Sequence, residues 1–196
     1  MNEKDYYLNS LSSSRLRHSI KCAEFLESIS KIAGLNPKIA YFTGLYHDIF
    51  RELSGEDFEK IYSRYSNFIP EEWKKYGLRL FHGPLCALYL KDSENISDKI
   101  FNAIFFHTTG NINMSNLLQA LLIADFCEPT RKHKNSVKIR NMILSKNMNE
   151  KKISEIAFMV IEYKIMYLNK KNDNIFQKTI DARNYLKKKI WKEKIE

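Results

Sequence analysis

His18, His47, Asp48, His82, His107 and Asp125 run along the chain in the order H, HD, H, H, D, and they take up four of its five histidines. Imidazole nitrogens and carboxylate oxygens are ligands that divalent first-row metals accept, and two ions about 3.5 to 4 Å apart can acidify a water and bind phosphoryl oxygens. Such a set points to phosphate hydrolysis. Asp125 sits inside Leu121-Leu122-Ile123-Ala124-Asp125-Phe126, where an unpaired carboxylate would be costly to bury and a metal ion or cationic partner removes the cost. His47 and Asp48 are neighbours, roughly 100° apart on a helix, so they cannot stack as an i,i+4 zinc pair does. They suit a carboxylate bridging two ions beside an imidazole on one of them. A lone histidine is more often packed or solvated than a ligand. The joint placement of four, each near the start or end of an apolar segment, argues for one cavity.

The elements that must position these residues read as helices. Residues 12–33 carry apolar side chains at helical spacing, from Leu16 and Ile20 to Ile32 and Ala33, and Gly34 is a natural stop. Asn36 before Pro37 predicts an N-cap with proline in the first turn, and the apolar run Ile39 to Ile49 carries that helix to His47-Asp48. Ser54-Gly55-Glu56-Asp57 resembles a capping box for 55–65. Further helices are expected at 82–90, at 97–107 behind Ser97, at 116–127 behind Ser115, at 150–168 behind Asn149, and at 179–193. No hairpin, repeat or low-complexity signal competes. The expectation is an all-α helical bundle forming a single domain over 1–196, with its core in 12–145 and a C-terminal helical element, 150–193, closing over the site.

Composition narrows the classes. Hydrophobic residues make up 44% and the chain has six Gly and four Pro, which excludes disordered and fibrous classes. No run of about 18 apolar residues and no basic-then-apolar start is present, so a cytoplasmic protein without membrane contact is expected. Cys22, Cys86 and Cys127 are widely spaced with no C-x-x-C pair; reduced core residues are expected rather than disulfides or a thiolate metal site. Residues 1–128 hold 14 Lys+Arg against 16 Asp+Glu, and residues 129–196 hold 18 against 7. That field suits a polyanion, either a nucleotide polyphosphate or nucleic acid, although Lys187, Lys188, Lys189, Lys192 and Lys194 also read as a solvated helix end.

GLYHDIF at 44–50 resembles the signature of the HD-domain phosphohydrolase superfamily, and four further stretches narrow the resemblance: RLRHSIKCAEFL at 15–26, FHGPLCA at 81–87, AIFFHTTGNINMS at 103–115 and IADFCEPTR at 123–131. Together they are similar to the YqeK family, bacterial symmetrical bis(5'-nucleosyl)-tetraphosphatases, over roughly residues 15–185. The resemblance implies that His18, His47, Asp48 and Asp125 bind a metal and that His82 and His107 complete a second position. It further implies iron as the expected metal, Asp48 shared between two ions, and a metal-bound hydroxide attacking an inner phosphate of diadenosine tetraphosphate to give two ADP. Asp48, His82, His107 and Arg131 are the expected catalytic set. Arg131 is a plausible phosphate clamp through its two-pronged guanidinium, with a surface ion pair at the helix end as the alternative.

Further substrate contacts are expected from Arg15, His18, Asp48, His82 and Gly83, from His107, Thr108 and Thr109, and from a C-terminal element at Asn174, Ile175, Phe176 and Gln177 that resembles the family's nucleotide-closing loop. Arg51, where the family usually carries Lys, and Asn111, where it usually carries Arg, depart from the pattern. The expected partner is a small-molecule dinucleoside polyphosphate or other nucleotide, not nucleic acid; a homodimer is compatible with the sequence without being dictated by it. Two other readings stand beside this one. One is an HD phosphohydrolase acting on nucleoside mono- or triphosphates or cyclic nucleotides, and the other is a basic helical RNA-binding protein.

Overall fold

The computed structural model describes residues 2–74, 76–145 and 149–193. Among them every regular element is helical: α1 Glu3–Asn9, α2 Ser13–Ser28, α3 Pro37–Tyr46, α4 Gly55–Tyr65, α5 Glu71–Lys74, α6 Leu78–Glu94, α7 Asp98–Phe106, α8 Asn116–Cys127, α9 Lys134–Ile143, α10 Glu150–Lys170 and α11 Gln177–Glu193, with one 3-10 turn at Ser66–Phe68. The helix starts follow local capping chemistry. Ser12, Ser97 and Ser115 accept from the backbone N–H of Arg15, Ile100 and Leu118, and Asn36 accepts from both Lys38 and Ile39 ahead of Pro37 in the first turn. Ser54 departs from expectation. It makes no side-chain capping bond and is followed by Gly55 at φ 59°, so the sequence there is a turn leading into a helix rather than a capping box.

α8 is the central element. Leu117, Leu118, Ala120, Leu121, Leu122, Ile123 and Ala124 are all buried, which is why its sequence shows no polar face. It packs against α2, α3, α7, α9 and α10, while α2 pairs with α3, α6 with α7 and α10 with α11. This arrangement sets one polar residue, Asp125, where several helix ends meet. Three helices were absent from the sequence expectations. α1 has seven residues and α5 four, too short for periodicity to register, and α9 begins at His133, whose ring accepts from Asn135 N–H in place of a more familiar cap. No helix among the described residues is long and apolar enough to cross a membrane. All three cysteines are free and buried.

Candidate active site

Two of the histidines stand at equivalent places on their helices. His47 is the residue that ends α3 and His107 the residue that ends α7, with backbone angles of φ −60°, ψ −26° and φ −61°, ψ −26°. Each ring folds back so that Nδ1 meets the carbonyl three residues earlier, Gly44 O at 2.7 Å and Ile104 O at 2.8 Å. His82, inside α6, turns Nδ1 to the carbonyl four residues earlier, Leu78 O at 2.9 Å, and His18 in α2 places Nδ1 3.1 Å from the Glu128 carboxylate. An Nδ1–H donated to an oxygen leaves the Nε2 lone pair free, the usual way a protein orients imidazole ligands. Arg51 Nη1 also approaches His82 Nδ1, at 3.2 Å, but its shorter bond is to Arg79 O at 2.7 Å.

All four Nε2 atoms face the two aspartates. Asp48 Oδ1 lies 2.9 Å from His82 Nε2 and 3.4 Å from His107 Nε2, whereas Oδ2 lies 3.7 Å from His47 Nε2 and 3.8 Å from His18 Nε2. Asp125 Oδ1 lies 3.1 Å from His18 Nε2 and 4.0 Å from His47 Nε2. Donors held at about 2.1 Å from one ion cannot stand more than about 4.2 Å apart, and each of these pairs satisfies that bound. Two groups of ligand atoms each fall within 4.8 Å of one another: His18, His47 and Asp125, and His47, Asp48 and His107.

The residues fit divalent ions for a further reason. Nε2 of His47 is buried with no hydrogen-bond partner, and Nε2 of His82 lies 3.0 Å from Nε2 of His107. With both Nδ1 atoms donating to carbonyls, that last contact sets two lone pairs against each other, which a cation between them relieves.

The protonation states agree. Burial opposes ionisation of Asp48 and Asp125, yet the surrounding imidazoles hold both well below the usual carboxylate range. Burial takes His47 down to about 4 and lowers His82. His18 is the exception: burial lowers it, but hydrogen bonds to Asp125 and Glu128 outweigh that and raise it to about 9. A metal at His18 therefore replaces a proton.

Glu128, whose role sequence reasoning missed, holds this corner. It is 0% exposed, accepts from Thr130 N–H at 2.6 Å as well as facing His18 Nδ1, and stands 3.5 Å from Arg131 Nε. Its sequence signal was its place in IADFCEPTR at 123–131, as the charged residue directly before the proline that follows α8. Glu128→Gln removes the charge behind His18 at nearly constant volume. We expect metal affinity to fall about 10–100-fold, the range for losing an outer partner of a ligand; unchanged affinity in a metal titration would separate Glu128 from the metal.

The cluster opens into a cleft of about 610 Å³. Six basic side chains line it, Arg15, Arg51, Arg79, Arg131, Lys164 and Lys171, against three carboxylates, Asp48, Asp125 and Asp173. Arg15 Nη1 reaches Asp48 Oδ2 at 2.9 Å, and Arg79 pairs with Asp173 at 3.1 Å. Arg131 Nη2 lies 3.3 Å from Asp125 Oδ1 and its side chain is 41% exposed, so the helix-end ion pair and the cleft position coexist. Part of the C-terminal charge excess is thus placed in the cleft by Arg131, Lys164 and Lys171.

Several expected substrate contacts sit elsewhere. Thr108 and Asn174 line the cleft, but Gly83, Thr109, Ile175 and Gln177 do not. A Cβ on Gly83 would meet Ile104 O at 2.9 Å and the His107 ring at 3.0 Å, so this glycine brings α6 up to His107. Thr109 is buried and its hydroxyl donates to Gly110 O, while Gln177 bonds to Asp181 in the first turn of α11. Phe176 reaches the cleft wall but is only 8% exposed, edge-on to Trp73 and Tyr76 at 4.9 and 5.2 Å between ring centres. Lys164, which like Arg79 and Lys171 the sequence did not single out, donates to Thr108 O, and burial brings its ammonium down to about 8.

Lys164 carries a pH prediction. Below about pH 8 its ammonium is charged, and above that the cleft loses one positive charge. KM for an anionic polyphosphate should rise on the alkaline side of pH 8, and Lys164→Arg, charged throughout, should flatten that rise. An identical alkaline limb in the variant would exclude Lys164 as its source.

The HD domain model matches residues 15–130, and the chain belongs to the HD domain family. Over nearly its whole length it is similar to enzymes named "Bis(5'-nucleosyl)-tetraphosphatase, symmetrical": 28% identical to that of Staphylococcus aureus, covering 87% of this chain and 86% of the relative, and 28% identical to that of Halalkalibacterium halodurans, covering 90% of each. Among solved structures it matches one described as a "predicted HD superfamily hydrolase involved in NAD metabolism" from Clostridium acetobutylicum, at 28% identity with a TM-score of 0.81 over 95% of both chains. The resemblance to the YqeK family therefore extends over most of the chain, and the helical bundle is an HD hydrolase fold whose His/Asp groups can hold divalent metal.

Proposed function

We propose that this chain cleaves a dinucleoside tetraphosphate, diadenosine tetraphosphate in the first instance, at its central anhydride to give two ADP. The observation that carries the reading is Asp48, an ionised buried carboxylate with one oxygen toward His82 and His107 and the other toward His18 and His47. In this reading His18, His47, Asp48 and Asp125 hold one divalent ion and His82, His107 and Asp48 a second, with iron the expected metal. Ions there would supply Lewis acidity toward phosphate oxygens and acidify a water. The names of the relatives that match over most of both chains supply the substrate class.

The chain's own residues then have separable tasks. Asp48 ties the two ligand groups together, and Glu128 fixes His18. Arg131, Arg51 and Arg79 present guanidinium groups to the phosphates, where Arg can donate two parallel bonds, and Lys164 and Lys171 add charge from α10 and its end. Thr108 and Asn174 are the neutral side chains within reach. Residues from the end of α10, the start of α11 and the link between them, Lys164 to Thr179, line one side of the cleft, which supports reading this C-terminal element as the one that closes over the site. In the reaction the oxygen of water bonds to one inner phosphorus and the bond from that phosphorus to the central bridging oxygen breaks. One ADP departs with the bridging oxygen, the other keeps the oxygen of water, and a proton is released.

The rival within the family is hydrolysis of a mononucleotide or cyclic nucleotide on the same metals. A substrate panel decides between them. With metal-loaded protein, kcat/KM for diadenosine tetraphosphate should exceed that for AMP, ATP and cyclic AMP by at least about tenfold, a 1.4 kcal/mol preference; turnover of one of those three in its place would transfer the reading to the rival.

A further inference from the structure

A second cavity opens from the same cluster. Its volume is about 510 Å³, and it shares His107, Asp125, Arg131, Lys164 and Tyr167 with the cleft described above. The two spaces differ in character. The first is crowded with arginines and lysines, whereas the second runs between α8, α9 and α10 and is walled by Leu122, Phe126, Val160 and Tyr163, with His133 and Asn135 at its rim. Phe126 and Tyr163 lie nearly parallel, at 4° with ring centres 6.2 Å apart, and Met166 and Tyr167 beside them are 61% and 59% exposed. Flat aromatic walls with a few convergent hydrogen-bonding groups describe a site for a planar heteroaromatic ring rather than for a phosphate.

We infer that this second cavity seats one nucleoside of the dinucleotide, so that the substrate lies across the metal ligands with its central phosphates at His107, Asp125, Arg131 and Lys164 and its two nucleosides in different cavities. The inference rests on the tetraphosphate reading above and deepens it. Cleavage at the centre of a symmetrical molecule requires room for a full nucleoside diphosphate on each side of the reacting bond, and a single cleft ending at the ligands would leave one half in solvent. The shared residues are those that stand between the two spaces, and each volume falls in the range of about 300–1,000 Å³ that small-ligand sites occupy. The purine stacks on the Phe126 or Tyr163 ring, and Asn135, half-buried at the start of α9, supplies an amide able to donate to and accept from a base edge. The two halves are therefore bound by unlike surfaces although they are chemically identical.

The test compares two substrates that differ by one nucleoside, diadenosine tetraphosphate and adenosine 5'-tetraphosphate, on metal-loaded wild type, Tyr163→Ala and Asn135→Ala. The ratio of kcat/KM for the dinucleotide to that for the mononucleotide should fall at least about tenfold in Tyr163→Ala, consistent with loss of a base–aromatic stack worth ~1–3 kcal/mol, with a smaller fall in the same direction in Asn135→Ala. Asn135→Ala removes one amide from a helix start without opening the core, so it reports even where Tyr163→Ala is unstable. An unchanged ratio, or equal loss on both substrates, overturns the second subsite while leaving the tetraphosphatase reading intact. Wild type that does not turn diadenosine tetraphosphate into ADP overturns the reading beneath it.

Discussion

Asp48→Ala is expected to remove hydrolysis, with kcat reduced well beyond the roughly 10–100-fold that follows loss of even an outer partner of a metal ligand, and to lower the bound metal per chain. Asp48 is 3% exposed and its two oxygens divide four imidazoles between them. Without it the group of His47, Asp48 and His107 loses its carboxylate, and His82 and His107 face each other across 3.0 Å with no anion to share. Arg15 loses its 2.9 Å partner at the same time, so the variant also leaves a cation beside the histidines that repels an incoming metal. Asp48→Asn separates these effects: it keeps the shape and removes the charge, and should be nearly as inactive. Substantial activity in both variants, with metal content unchanged, would exclude Asp48 as a shared ligand.

Gly44→Ala is expected to be strongly destabilising. The added carbon would lie 2.7 Å from Ala23 Cα and 2.9 Å from Ala23 N, both backbone atoms of α2, so no side-chain rotation relieves the contact and α2 and α3 must move apart. Overpacking of this kind costs ~1–3 kcal/mol, and each kcal/mol lowers Tm by about 2–4 °C in a domain of this size. The displacement also falls on the candidate metal ligands. α2 carries His18, and Gly44 itself supplies the carbonyl that orients His47 at 2.7 Å. The expected result is a lower Tm together with weaker metal binding, seen in parallel thermal melts with and without metal. A variant melting with wild type would mean that the helices are not in the contact described.

The cluster of candidate ligands was legible because their chemistry conflicts with their surroundings: a carboxylate in the apolar run 121–126 and histidines at the ends of apolar segments need a common explanation. Three of the helices were legible from caps at Asn36, Ser97 and Ser115, which act within four residues, and α2 from its apolar spacing; α6, which carries His82, starts at Gly77 without a side-chain cap and begins four residues earlier than expected. What decides orientation was not. His47 and Asp48 were expected on one helix, but α3 ends at Tyr46 and the pair stands in the turn beyond it, which lets Asp48 point between two groups of histidines. Lys164 looked like any lysine on a long helix; only the packing of α10 against α8 brings it into the cleft. The likeness to a nucleotide-closing loop placed Phe176 at the substrate, and the structure puts it in the cleft wall with its ring packed against Trp73 on α5, an element too short to read in the sequence. Aromatic side chains that bind a base and those that fill a core have the same one-dimensional signature.

The most direct test of the central claim is the product profile from diadenosine tetraphosphate, followed by ion-exchange chromatography, with protein loaded anaerobically with iron and with Asp48→Ala run beside it. Two ADP per substrate as the only product, absent in the variant, is the result that a dinuclear site acting at the central anhydride predicts. AMP with ATP, or two ADP formed equally by the variant, would contradict it.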